Sequence, residues 1–159
     1  MKLKTLSVWI KVILIGFAVC GVVIMGAAVP SIGKSIVKAY PEFAAAYMPW
    51  MVFLWIAAVP CFVVLVLGWQ IASNIARDNA FSSANAKLLR IIAILAAVDS
   101  AYFFFGNIVL WILNMNHPGL VLMSLVVVFL GAAICVASSA LSHLTSRAAD
   151  IEDENRLTI

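Results

Sequence analysis

Charge is scarce in this chain: 11% of its 159 residues are Asp, Glu, Lys or Arg, where soluble globular domains carry roughly a quarter. So few charges cannot cover a sequence that is 65% hydrophobic, which excludes an ordinary water-soluble domain. Metal ligands are sparse too. His117 and His143 have no second ligand at a suitable spacing, and Cys20, Cys61 and Cys135 form no Cys-x-x-Cys pair. No zinc or redox site is therefore expected, and the cysteines read as small apolar fillers. No nucleophile stands beside a matching base, and no His-Glu-x-x-His run occurs. The chain reads as noncatalytic and without a cofactor. Basic residues are nowhere interleaved with aromatics, so direct nucleic-acid binding is not expected either.

What the sequence has is long apolar runs. Four of them, residues 8–29, 50–70, 87–113 and 120–141, reach the roughly 20 residues that a helix needs to cross about 30 Å of hydrocarbon. Each must be helical, because lipid offers nothing to unpaired backbone amides and carbonyls. The fold class is all-α, an integral membrane four-helix bundle forming a single membrane domain over residues 1–159. Lys2 and Lys4 before the first run resemble a signal peptide, but Val12 to Val29 continues past the roughly 7–15 residues of a secretory core. An uncleaved first helix is expected. Of the ten Lys and Arg residues, only Lys34 and Lys38 fall outside when the N-terminus is inside. This positive-inside pattern makes both termini cytoplasmic, together with the loop 73–86 and the tail 143–159.

The connecting segments carry finer signals. After Pro30, the residues Ile32, Ile36, Val37 and Tyr40 share one helical face while Lys34 and Lys38 occupy another, which suits a short helix at the membrane surface. Pro60 lies within the second span, where it removes one helical hydrogen bond. Ser82 or Ser83 is a natural N-cap for the third span. Beyond Leu141 the fourth helix is expected to continue into the tail, with Leu144, Ala148 and Ile151 at helical spacing.

Asp99 is the one ionisable residue deep within a span. Its insertion costs about 2.5–3.5 kcal/mol, which the apolar residues around it offset. It should face other helices, with Ser100 and Asn107 near it on its own helix and Ser138, Ser139 or His143 as partners elsewhere. Ser100, Asn107 and Asn114 recur every seven residues as a polar line. In the last span Ser124, Gly131, Cys135, Ser138 and Ser142 form a seam of small residues suited to close helix packing.

The loop from Arg77 to Ile92 and the ending from Asp150 to Ile159 resemble the bacterial DUF2975 family. In the loop Phe81, Asn85, Lys87 and Arg90 match the family's pattern, with Ala80 where proline is usual. At the end Glu154, Asn155, Leu157, Thr158 and Ile159 match its Glu-Asn-x-Leu-Thr-Ile close. The resemblance implies a multi-pass protein of the bacterial cell membrane with no catalytic residues. It also implies a partner, since many members are encoded beside a small helix-turn-helix regulator. The expected function is to tether or signal to such a cytoplasmic regulator. The expected partner-binding residues are Arg77, Asp78, Phe81, Asn85, Asp150, Glu152, Asp153, Glu154, Leu157 and Ile159. The alternative is a small transporter or channel, a homo-oligomer with Asp99, Ser100 and Asn107 lining its path. Single cysteines placed at Asn79 and Ser35 in a cysteine-free background test the orientation. Impermeant maleimide should label position 35 in intact cells and position 79 only after lysis.

Overall fold

A computed structural model gives the fold for residues 3–157, with the side chains of Asp153, Asn155, Arg156 and Leu157 excepted. The elements are α1 (Leu3–Val23), a π-helical turn (Ile24–Ala28), α2 (Val29–Ala39), a 3₁₀ segment (Pro41–Ala46), α3 (Tyr47–Ala76), α4 (Ser83–Ile112) and α5 (Pro118–Leu157). No strand occurs among the described residues. Four helical stretches are long and apolar enough to cross a membrane, the first running from Leu3 to Ala39. The all-α fold with four spans is as the sequence implies.

The separate surface helix expected after Pro30 is instead a continuation of the first span. Pro30 has no N–H and its ring would strike the carbonyl one turn back. The π-turn before it absorbs the mismatch, with the Val29 N–H donating to the Ile24 carbonyl five residues earlier. The helix therefore widens and runs on. It stops at Tyr40, whose φ of −134° leaves the helical region. Pro60 does not interrupt α3.

The spans stand in a row. α1 packs on α3, α3 on α4, and α4 on α5, the last pair along most of its length, while α1 and α5 do not pack on each other. At about 1.5 Å per residue, α3 and α4, of 30 residues each, measure about 45 Å. By the same rise the 40-residue α5 measures about 60 Å, longer than either.

Each junction in the row has its own chemistry. Between α4 and α5 the predicted small-residue seam brings the backbones close. A methyl group on Gly131 would overlap the Ser100 hydroxyl, Ser124 is buried, and the Ser142 hydroxyl donates to the Ala86 carbonyl at 2.7 Å. Between α3 and α4 the contact is aromatic. Phe53 stacks on Tyr102 and Phe103 with ring centroids 5.1 and 5.3 Å away, and it rests on the bare Cα of Gly106. Such ring pairs add about 0.5–1.5 kcal/mol each beyond their burial. Between α1 and α3 the Ser7 hydroxyl donates to the Ala72 carbonyl at 2.6 Å, and the Lys11 ammonium lies 5.0 Å from the Trp69 ring.

The end of the row opposite the tail is closed by a turn. Asn114, at φ 56°, ends α4 in a Schellman motif, with the Met115 N–H donating to Leu110 and the Asn114 N–H to Trp111. A short polar side chain tolerates this left-handed backbone. The Trp50 indole N–H donates to the Met115 carbonyl at 2.8 Å, and the Asn116 amide donates to Asn107 Oδ1 at 3.0 Å. Beside this turn the apolar face of α2 borders a crevice of about 620 Å³, with Ile36, Tyr47, Trp50 and Leu120 in its walls.

Because the Phe53 ring fills the space above Gly106, a Gly106→Ala variant should lose about 1–3 kcal/mol, the usual cost of overpacking. Thermal denaturation in detergent checks this, and adding Phe53→Leu should restore part of the loss.

Candidate functional site

At the tail end, the connection between α3 and α4 is tightly built. α3 stops in a second Schellman motif: Asp78 sits at φ 60°, with the Asn79 N–H bonded to the Asn74 carbonyl and the Asp78 N–H to Ile75. Four residues later Ser82, in extended conformation, caps α4 by accepting the Asn85 N–H. Asn85 ties the two ends together. Its Oδ1 accepts from Asn74 Nδ2 at 2.7 Å, and its Nδ2 donates to the carbonyls of Asn79 and Ala80 at 3.2 and 2.9 Å. With 1% of its surface exposed, Asn85 is an internal strut, and this corrects its expected place on a docking surface. Arg77, Asp78 and Phe81 are exposed on the rim of the loop.

α5 continues past Leu141 as the sequence predicts. Beyond Ser142 the seam extends to Thr145 and Ala149, both buried. Leu144 and Ile151, seven residues apart and turned away from that face, are 64% and 61% exposed. Asp150, Glu152 and Glu154 are exposed around the last turns. Of the other expected tail residues, the side chains of Asp153 and Leu157, and all of Ile159, lie outside the described residues.

In mid-span Asp99 faces α3. One carboxylate oxygen, Oδ2, has the Cys61 thiol 3.8 Å away. The other, Oδ1, is buried with no hydrogen-bond partner among the described residues. Cys61, which reads from sequence as a filler, is thus the neighbour of Asp99, in place of Ser138, Ser139 and His143. Both residues border a cavity of about 400 Å³ that Phe17 of α1, Phe62 of α3, Phe103 of α4 and Val127 of α5 also line. The polar line on α4 divides at this point. Ser100 donates to the Ala96 carbonyl at 2.7 Å and meets Gly131. Asn107, 1% exposed, donates to the Phe103 carbonyl at 2.7 Å. Neither lines the cavity that Asp99 borders.

The described residues contain no group of three His, Cys, Asp or Glu side chains placed to hold a metal ion.

Comparison with known proteins gives the lineage: residues 31–159 match the family described as a protein of unknown function, DUF2975. The chain belongs to the DUF2975 family. A relative in Bacillus subtilis (strain 168), the uncharacterized membrane protein YoaS, is 27% identical over 162 residues, which cover 99% of each chain. No solved structure matches. The match takes in the loop, the Asp99 span and the tail, while the α1 side of the cavity, with Phe17, precedes it. The protein is a multi-pass membrane protein.

The signals that sequence reading missed are the Asp99–Cys61 pairing and the aromatic wall around it. Both depend on how α1 and α3 lie against α4. The strut role of Asn85 has a visible cue in Asn74, eleven residues earlier, but nothing fixes that pairing until both helix ends are placed. Replacing Asn85 by Ala should destabilise the protein by about 1–3 kcal/mol, because buried partners lose their bonds. Replacing Asp78 by Gly should leave stability unchanged or raise it by up to about 1 kcal/mol, since glycine carries no left-handed penalty. Thermal denaturation and proteolysis at residues 77–83 check both.

Proposed function

We propose that this protein is noncatalytic and holds or signals to a cytoplasmic partner through the rim of the α3–α4 loop and the tail. The observation that carries this reading is the exposed pair Leu144 and Ile151 on a helix whose opposite side is already buried. An amphipathic helix of this kind docks by laying its apolar stripe into a groove. Asp150, Glu152 and Glu154 beside the stripe suit a partner with a basic surface, where charge complementarity orients the encounter. A small helix-turn-helix regulator has such a surface for DNA, and it is the partner class this reading names. In this reading Arg77, Asp78 and Phe81 supply a second edge, and Asn85 holds that edge in shape.

The second reading is a small oligomeric transporter or channel, and the cavity at Asp99 favours it. Four spans in a row provide no enclosed path within one chain, so transport needs further copies.

The docking reading is tested with full-length protein in membranes and a purified helix-turn-helix regulator from the same organism. Truncation after Ala149 and the single change Ile151→Asp should each abolish capture, while the thermal midpoint stays within a few degrees of wild type. Undiminished capture by both variants would falsify the docking reading.

A further inference from the structure

We propose that the mid-span cavity at Asp99 is a binding site for a lipophilic monovalent cation. This inference does not rest on docking at the tail. It is also separable from the transport reading, since it concerns binding at equilibrium.

The chemistry of the walls selects the ligand. The cavity, of about 400 Å³, falls within the roughly 300–1,000 Å³ typical of small-molecule sites. Asp99 is the one lining residue that can carry charge at neutral pH, and Oδ1 is left without a hydrogen bond. An anion is repelled, and a polyhydroxyl solute finds too few polar groups. An inorganic cation needs several oxygen ligands to replace its water, whereas among the described residues lining the cavity the polar side chain beside Asp99 is the Cys61 thiol. A large organic cation needs no such shell. Its charge is satisfied by one carboxylate and by aromatic rings, and the rings are present as Phe17, Phe62 and Phe103.

Access is consistent with a ligand that arrives through lipid. Asp99 is the seventeenth of the 30 residues of α4, about 25 Å from its start at 1.5 Å per residue. That is the middle of the apolar layer, where lipophilic cations can travel and hydrated ions cannot. α1 and α5 stand at opposite ends of the row and do not pack on each other. A cavity bordered by Phe17 on one and Val127 on the other is therefore unsealed between them.

The site should also respond to protons, because a proton and the organic cation compete for the same carboxylate. Around Asp99, α3 presents Cys61, while α1 and α5 present Phe17, Gly21 and Val127. On α4 itself, the Tyr102 hydroxyl is turned to the Phe53 carbonyl at 3.3 Å. One carboxylate thus governs the competition, and affinity should rise with pH.

The experiment is equilibrium binding of tetraphenylphosphonium to the full-length protein in lipid nanodiscs across pH 5 to 9. Wild type should bind saturably, one per chain, and more tightly as pH rises. Asp99→Asn, which keeps the side chain's shape, should bind at least about tenfold more weakly, the mark of a desolvated charge pair, with no pH dependence. Phe17→Leu should weaken binding severalfold and keep the pH dependence. In a Cys20→Ala, Cys135→Ala background, tetraphenylphosphonium should slow N-ethylmaleimide labelling of Cys61. The proposal is overturned if a folded wild type shows no saturable binding, or if Asp99→Asn binds equally well with the same pH profile. It is equally overturned if Cys61 labelling is unaffected at saturating ligand. None of these readouts involves the regulator or flux, so failure of the docking or transport readings leaves the result standing.

Discussion

Main-chain carbonyls are the acceptors always at hand in a chain with so few charged side chains, and four ties that join these helices and their turns are made to them. Each carbonyl oxygen has two lone pairs and the helical bond uses one. Ser7 reaches Ala72, Ser142 reaches Ala86, Tyr102 reaches Phe53 and Trp50 reaches Met115, in every case through a side-chain donor and a main-chain oxygen. Where the acceptor is helical, as at Ala72, Ala86 and Phe53, the bond leaves the helix its own ladder. The arrangement joins these helices through uncharged donors, whereas charged groups are expensive to desolvate in lipid. Asp99 departs from this pattern, a carboxylate in the middle of the layer with the Cys61 thiol 3.8 Å from one of its oxygens.

The three junctions differ in kind, and the differences follow from which side chains the helices offer. Small residues on α5 let backbones approach, as in many membrane helix pairs where van der Waals contact replaces the hydrophobic effect. The α3–α4 junction instead inserts one large ring, Phe53, into the gap left by Gly106. Between them the helices part enough to leave the cavity at Asp99. The tail inherits its order from the first junction, because the seam that begins at Ser124 continues to Ala149 without a break.

Much of the fold is legible in the sequence because the bilayer permits so few alternatives. The four spans, the cap at Ser82, the seam from Ser124 to Ser142 and the continuation of α5 all follow from run length, polar punctuation and helical spacing. The surface helix after Pro30 was not legible as part of the first span, since a π-turn leaves no compositional mark. The surroundings of Asp99 were hidden for another reason. Spacing along α4 ties Ser100 to Asn107, yet residues 99 and 100 point about 100° apart on a helix, and only the placed neighbours show that they serve different junctions. The loop residues divide in the same way: Phe81 is exposed as expected, and Asn85 is consumed by the loop's own carbonyls.

The row of contacts has a consequence for how the protein is built. α1 and α3 form one hairpin, α4 and α5 another, and each is held by contacts that need nothing from the other pair. As the chain leaves the ribosome, the first hairpin can settle in lipid before the second has been made. The second then closes on its small-residue seam. The two halves meet along the α3–α4 junction, where Phe53 enters the gap above Gly106 and the Asn74–Asn85 bond ties the loop ends, and together these contacts set the register of the halves.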